Sequence, residues 1–211
     1  MDYLFLFYPI LYTVLLIIGL LNYDKIRNSF YLKLFLIFIG YSLLIEILGF
    51  LFGFIFRVNN HVIYNSWGLV SHFFYMFFFL SQIKNKPRRK LIKCLIIIYF
   101  VFTIVEVSFF TNFLNQFLVK NEIIGSFLIM ISVLMYFYEL LKSDKILNLK
   151  ESMFYWIGLG VLLFNVGFIP AYVVAEYISF GVAYRIITLI LNLLMAGCFI
   201  TGFIVSKKEY N

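Results

Sequence analysis

The sequence predicts an all-α integral membrane protein: a polytopic bundle of seven transmembrane helices, N-terminus outside the cytosol and C-terminus inside. Three observations predict it: the apolar composition, seven long apolar runs and the one-sided placing of the basic residues. Of the 211 residues, 64% are hydrophobic and 13% are charged, whereas soluble domains carry about 25% charged residues. A soluble fold would expose much of this apolar surface to water, so we expect a single integral membrane domain over residues 1–211.

The apolar runs are each close to the roughly 20 residues that cross a hydrocarbon core. Short polar breaks separate them. In chain order the predicted spans are Tyr3–Leu21, Tyr31–Phe56, His61–Ile83, Leu91–Thr111, Glu122–Leu141, Met153–Ala175 and Tyr184–Val205. These spans and their breaks use up the chain, which leaves no room for a soluble domain.

The basic residues predict the orientation. Only Arg57, Lys120 and Arg185 lie on one side, and every other Lys and Arg lies in or beside the first, third or fifth break or in the C-terminal tail. Lys and Arg accumulate in short cytoplasmic loops, so the tail side is assigned to the cytosol. The net charge of +7 has the same explanation. The predicted location is the inner membrane of a bacterium.

Five polar side chains form a predicted intramembrane layer. Glu46, His72 and Glu106 lie in the second, third and fourth spans, and Asn165 and Asn192 lie in the sixth and seventh. Ionisable groups inside a span are costly, so each one is a functional hypothesis. Glu46 and His72 are the predicted pair, because an imidazole can stabilise a buried carboxylate. Two interpretations stay open: an interior ligand or ion site, and a hydrogen-bond network that fixes helix packing.

Helical spacing places further residues on shared faces. Gly49 and Gly53 stand four residues apart in the second span, a spacing that allows close helix contact. In the fourth span Tyr99, Thr103 and Glu106 share one face by the same periodicity.

The densest charge run lies in the third break and includes Lys86, Arg88, Arg89 and Lys90. One interpretation is that this run sets the membrane topology and binds lipid, because such clusters contact anionic headgroups. The other is a docking surface for an acidic cytosolic protein or for RNA.

Two segments resemble small seven-span modules common in the Bacteroidota. They are Ile63-Tyr-Asn-Ser-Trp67 leading into His72-Phe-Phe-Tyr-Met-Phe-Phe-Phe79, and Tyr136-Phe-Tyr-Glu-Leu-Leu-Lys142 followed by Phe154-Tyr-Trp-Ile-Gly158. In those modules a glutamate often follows the third-span aromatic motif, where this chain has Ser71-His72. The resemblance implies a seven-span module that stands alone or ahead of a signalling domain. In size and character the chain is also similar to multi-pass accessory proteins of RNA-targeting CRISPR systems, which implies antiviral defence.

The sequence contains no recognisable catalytic, metal-binding or nucleotide-binding motif, so no enzyme activity and no cofactor are expected. The leading hypothesis is a regulatory or accessory protein in the lipid bilayer, as a single chain or a homo-oligomer, with a cytosolic protein partner at the basic loop. The alternative is a carrier or channel for a proton or small solute, using Glu46, His72 and Glu106. A third hypothesis is a lipid-modifying enzyme with His72 as its base.

Overall fold

The computed structural model describes residues 4–178 and 181–211, which excludes the predicted start of the first span at Tyr3. The described residues confirm the all-α class. The long helices are α1 (Leu4–Leu21), α2 (Phe30–Phe50), α3 (His61–Gln82), α4 (Lys86–Phe109), α5 (Val119–Leu141), α6 (Met153–Ile178) and α7 (Gly181–Val205). Short helical segments cover Tyr23–Ile26, Asp144–Glu151 and Lys208–Tyr210.

Helix ends other than those of α2 and α4 lie within three residues of the predicted span ends. Helix α4 begins at Lys86, five residues before the predicted Leu91, because Asn85 caps it by accepting a hydrogen bond from the Arg88 amide and Pro87 stands in its first turn. Helix α2 continues as a π-helix over Leu51–Ile55. Hydropathy alone could not locate either feature, since both depend on backbone hydrogen bonding.

Five helical segments are long and apolar enough to cross a membrane: Phe30–Ile55, Lys86–Phe109, Val119–Leu141, Met153–Val174 and Tyr184–Val205. Helix α1 contributes a shorter apolar stretch, Leu6–Leu21. Helix α3 has the length, at 22 residues, but it carries several polar side chains. The composition and these segments make this a multi-pass membrane protein.

Six of the long helices close into a ring. Around the ring, α1 packs on α2, α2 on α3, α3 on α5, α5 on α6, α6 on α7, and α7 back on α1. Helix α4 lies outside the ring and packs on α3 and α5. Short links join successive helices, so successive helices run antiparallel, whereas the ring neighbours α3 and α5, and α7 and α1, run parallel.

One end of the ring is filled by aromatic side chains. Phe35 of α2 is fully buried and lies within 6.5 Å, centroid to centroid, of Phe74, Phe78, Phe199 and Phe203. These residues lie toward the links 22–29 and 83–85 and the tail 206–211, and most Lys and Arg residues lie in or beside the links and the tail at this end. We call this the basic end, and the opposite one the cavity end.

Candidate functional site

A cavity of about 890 Å³ lies inside the ring at the cavity end. All six ring helices line it, and α4 does not. The charged and amide or hydroxyl side chains that line it are Glu46, Arg57, Asn59, Asn60, Asn65, Glu122, Arg185, Thr188 and Asn192. The aromatic side chains are Tyr8, Tyr12, Phe50, Phe54, Tyr64, Trp67, Phe117, Phe164, Phe168, Tyr172 and Tyr184.

The mouth of the cavity lies at the link between α2 and α3. Arg57, Val58 and Asn59 are exposed there and line the cavity. Arg57 has a φ of 52°, a left-handed conformation uncommon for residues other than glycine. Toward the basic end the cavity stops at the aromatic core around Phe35.

Glu46 of α2 stands on the cavity wall and is half-buried. Its Oε2 accepts a long hydrogen bond of 3.5 Å from the Tyr64 hydroxyl of α3. Gly49 lies directly against the Tyr64 ring, and the Asn60 amide lies against Gly53 while donating to the Gly49 carbonyl. The glycine pair thus admits two side chains of α3, and one of them holds Glu46.

His72 of α3 meets Glu122 of α5. The His72 Nε2 is 3.8 Å from the Glu122 Oε2, and the His72 Nδ1 lies against the Gly68 carbonyl oxygen. His72 is buried, while Glu122 is 19% exposed and lines the cavity. The structure therefore does not bring Glu46 and His72 together, because the carboxylate beside His72 is that of Glu122.

Glycines make room for both members of this pair. Gly68 of α3 lies against the Glu122 carboxylate, and Gly125 of α5 lies against the His72 ring. A methyl group at either position would overlap the facing side chain. Each helix thus accepts the ionisable side chain of the other, which fixes both groups at the α3–α5 contact.

Glu106 lies apart from the cavity, near the outer end of α4. It is 2% exposed, and its Oε1 accepts a 3.5 Å hydrogen bond from Thr111. The predicted face of Tyr99, Thr103 and Glu106 is turned toward α5, where Asn121 accepts from the Tyr99 hydroxyl and donates to Thr103. This face joins α4 to the ring and is a packing feature.

The two asparagines of the predicted layer separate. Both Asn165 and Asn192 donate to their own helices, to the Val161 and Thr188 carbonyls respectively. Only Asn192 lines the cavity. Of the five predicted residues, the structure therefore places Glu46 and Asn192 on the cavity wall.

Glu122 is the site residue that sequence reasoning missed. It was assigned to the start of the fifth span, where an acidic residue is ordinary. Helical spacing could have pointed to Glu122. It precedes Gly125 by three residues, and Gly68 precedes His72 by four, so each helix has an acidic or imidazole group on the same face as a glycine.

At the basic end, Arg88 and Arg89 are engaged within the fold. Arg88 pairs with Glu139 at 3.1 Å, and Arg89 donates to the Leu80 and Ile83 carbonyls. Lys86 and Lys90 are exposed. Of the predicted docking residues, the two lysines face solvent and the two arginines hold the link between α3 and α4.

Comparison with known proteins identifies no relative: no family model, no curated protein and no solved structure matches this chain. Within the described residues, no group of three or more His, Cys, Asp or Glu could hold a metal ion. The function must therefore be argued from the cavity and the two ends of the bundle.

Proposed function

We propose that all seven long helices cross the membrane, with the basic end in the cytosol. The distribution of Lys and Arg supports this orientation, because short basic loops are retained on the cytoplasmic side. In a bacterium the membrane would be the inner one.

Helix α3 is the element on which the span count depends. Its polar residues Asn65, Ser71 and His72 are each at most 4% exposed, so they face protein and not lipid. A polar side chain turned into the bundle does not carry the cost of exposure to hydrocarbon. The burial of these residues thus supports a crossing helix that hydropathy alone ranks below the others.

We propose that the protein is a non-enzymatic membrane receptor that binds a small molecule in its cavity and acts on a cytosolic protein through its basic end. The observation that carries this proposal is the pocket itself, which has an aromatic wall and two carboxylates, Glu46 of α2 and Glu122 of α5. A pocket of this volume, mostly apolar with a few convergent polar groups, is typical of small-molecule sites.

Helix α5 supplies a physical connection between the two ends. It carries Glu122 at the cavity and Glu139 at the basic end, 17 residues apart, or about 26 Å along the helix. Glu139 accepts hydrogen bonds from the amides of Lys84 and Asn85, which begin the basic segment. A ligand that shifts α5 would therefore also move the loop that presents Lys86 and Lys90.

Ligand binding is tested by thermal unfolding of the purified protein in nanodiscs with fractions of a bacterial metabolite extract. A ligand that binds only the folded state raises its melting temperature. We expect one fraction to stabilise the wild type and Glu151→Gln but not Glu46→Gln, since Glu151 lies at the basic end, where it pairs with Lys207. Stabilisation of all three proteins alike, or of none, would refute the binding function.

The cytosolic partner is tested by affinity purification from native membranes. We expect a Lys86→Gln/Lys90→Gln variant to lose a partner that the wild type and Lys120→Gln retain. Arg88 and Arg89 are left intact because they hold the fold. An identical set of co-purifying proteins in all three would refute docking at the basic end, and recovery of RNA instead of protein would favour the nucleic-acid alternative.

The second candidate function is a proton or solute carrier, and the His72–Glu122 contact at the cavity wall favours it. Such a pair can relay a proton between a cavity and the protein interior. It predicts flux in proteoliposomes that Glu122→Gln abolishes and Glu151→Gln, at the basic end, preserves. Absence of flux for protons and small cations in the wild type would exclude it.

The resemblance to Bacteroidota seven-span modules and to accessory proteins of RNA-targeting CRISPR systems is compatible with the receptor proposal. We propose in the same way that the chain belongs to one of these groups, acts in antiviral defence and assembles as a homo-oligomer. Each would follow directly from the identity of the proteins that co-purify.

A further inference from the structure

We propose that the cavity takes an organic cation: a protonated amine carried on an aromatic or otherwise apolar body. This inference rests on the proposed function, because it names the ligand class of the same pocket.

The two carboxylates of the cavity are incompletely satisfied by the protein. Glu46 accepts the single 3.5 Å hydrogen bond from Tyr64, which is at the long limit for such a bond. The Glu122 Oε2 is 3.8 Å from the His72 Nε2, beyond hydrogen-bond distance. With Nδ1–H donating to the Gly68 carbonyl, the Nε2 of a neutral His72 is an acceptor, so it offers Glu122 no proton.

Tyr12 of α1 adds a third acceptor. Its side chain is only 6% exposed and lines the cavity. A phenol hydroxyl can accept a hydrogen bond as well as donate one. An ammonium group has three N–H donors and no acceptor. Glu46, Glu122 and Tyr12 are each an acceptor that such a group can use.

The walls fit the rest of such a ligand. The rings of Tyr64, Trp67, Phe164 and Phe168 line the cavity. Aromatic faces attract a cation and also accept an apolar body. Arg57 and Arg185 also line the cavity, and both are exposed, so water screens their charges. Negative groups and aromatic faces thus surround the interior of the pocket.

The inference is tested with three probes of matched shape: 2-phenylethylamine, 2-phenylethanol and phenylacetate. Binding to the nanodisc-embedded protein is measured by calorimetry, and by Trp67 fluorescence in a Trp156→Phe background, where Trp67 is the only tryptophan. We expect the amine to bind at least about tenfold more tightly than the alcohol or the acid, because a charged hydrogen bond is worth about one order of magnitude or more.

Variants locate the contact. Glu46→Gln and Glu122→Gln should each weaken amine binding about tenfold, and Tyr12→Phe about threefold or more, whereas Glu151→Gln, at the basic end, should leave it unchanged. If the alcohol or the acid binds the wild-type protein as tightly as the amine or more tightly, the proposed ligand class is wrong. It is also wrong if Glu46→Gln and Glu122→Gln both bind the amine with full affinity.

The outcomes also separate this inference from the receptor proposal. If an extract fraction stabilises the protein through Glu46 but the amine does not bind, the ligand class is wrong and the binding function stands. If neither the extract nor any of the three probes binds, both fail.

Discussion

At the residue scale, the contact between α3 and α5 depends on two glycines. Gly68 leaves space for the Glu122 carboxylate, and Gly125 leaves space for the His72 ring. The Glu122 and His72 side chains differ in how easily they can move away from the glycine that each one faces. The end of a glutamate side chain can swing aside, whereas the imidazole is held by Gly68 and packs near the buried Tyr99 ring, 5.3 Å away. We therefore expect Gly125 to be the less tolerant position.

The prediction for Gly125 concerns stability. Gly125→Ala should lower the free energy of unfolding by about 1–3 kcal/mol, because the added methyl displaces the His72 ring within a packed interface. Chemical unfolding in mixed micelles measures it. Gly197→Ala and Gly40→Ala are the controls, since neither Cβ would meet another atom within 4 Å, and alanine favours a helix. A Gly125→Ala protein as stable as these controls would contradict the assigned contact.

At the element scale, two side chains hold links between helices. Asn65 of α3 fixes the link between α4 and α5: it donates to the Phe113 and Gln116 carbonyls, each at 2.8 Å, and accepts from the Leu118 amide at 3.1 Å. A side chain that makes three bonds to one loop replaces a local turn, so the loop geometry is set by α3.

The loss of Asn65 should release this loop. Asn65→Ala removes three hydrogen bonds, each worth about 1 kcal/mol, so we expect faster amide exchange over residues 113–118 and a loss of roughly 2–4 kcal/mol in stability. Hydrogen exchange followed by mass spectrometry measures it. The matched control is Ser66→Ala, whose hydroxyl bonds only to Val62 of its own helix. Unchanged exchange in Asn65→Ala would show that the loop is held by other contacts.

Glu139 of α5 plays the same part at the basic end. Glu139→Ala should increase amide exchange at Lys84 and Asn85 about tenfold, because it removes the acceptor for both amides and the Arg88 ion pair. Glu151→Ala is the control at the same end: Glu151 pairs with the exposed Lys207, and such surface pairs contribute little. Equal amide exchange in the two variants would show that Glu139 of α5 does not hold the basic loop.

At the scale of the whole molecule, the two ends of the ring differ in chemistry. The cavity end holds carboxylates, hydroxyls and aromatic rings, and the basic end is filled by the core around Phe35. Lys25 strengthens this basic end, because its ammonium donates to the Phe203 and Ile204 carbonyls at the end of α7. The ligand and the partner that we propose would therefore be separated by packed protein.

The orientation of the ring is tested by cysteine labelling. In a Cys94→Ala/Cys198→Ala background, Asn59→Cys should react with an impermeant maleimide on intact spheroplasts, and Lys86→Cys only after permeabilisation. The two positions flank α3, so opposite labelling shows that α3 crosses the membrane. Labelling from the same side would reduce the span count, and the reverse pattern would invert the topology.

The sequence by itself determined the class of the protein, the existence of the long helices and the separation of basic residues toward one end. Apolar composition and run length decide these properties, because they depend on the solvent of the chain and not on which helices meet. It also identified the common face of Tyr99, Thr103 and Glu106, since helical periodicity is a local property.

Only the tertiary structure decided which polar groups come together. The sequence suggested Glu46 with His72, yet His72 meets Glu122 and Glu46 meets Tyr64. Asn165 turned to its own backbone, and Glu122, ordinary by its position in the chain, came to line the cavity. Periodicity places a residue on a helix face, but the neighbour of that face is set by how six helices close into a ring. That closure depends on side-chain volumes at contacts such as Gly68 and Gly125, which no single helix specifies.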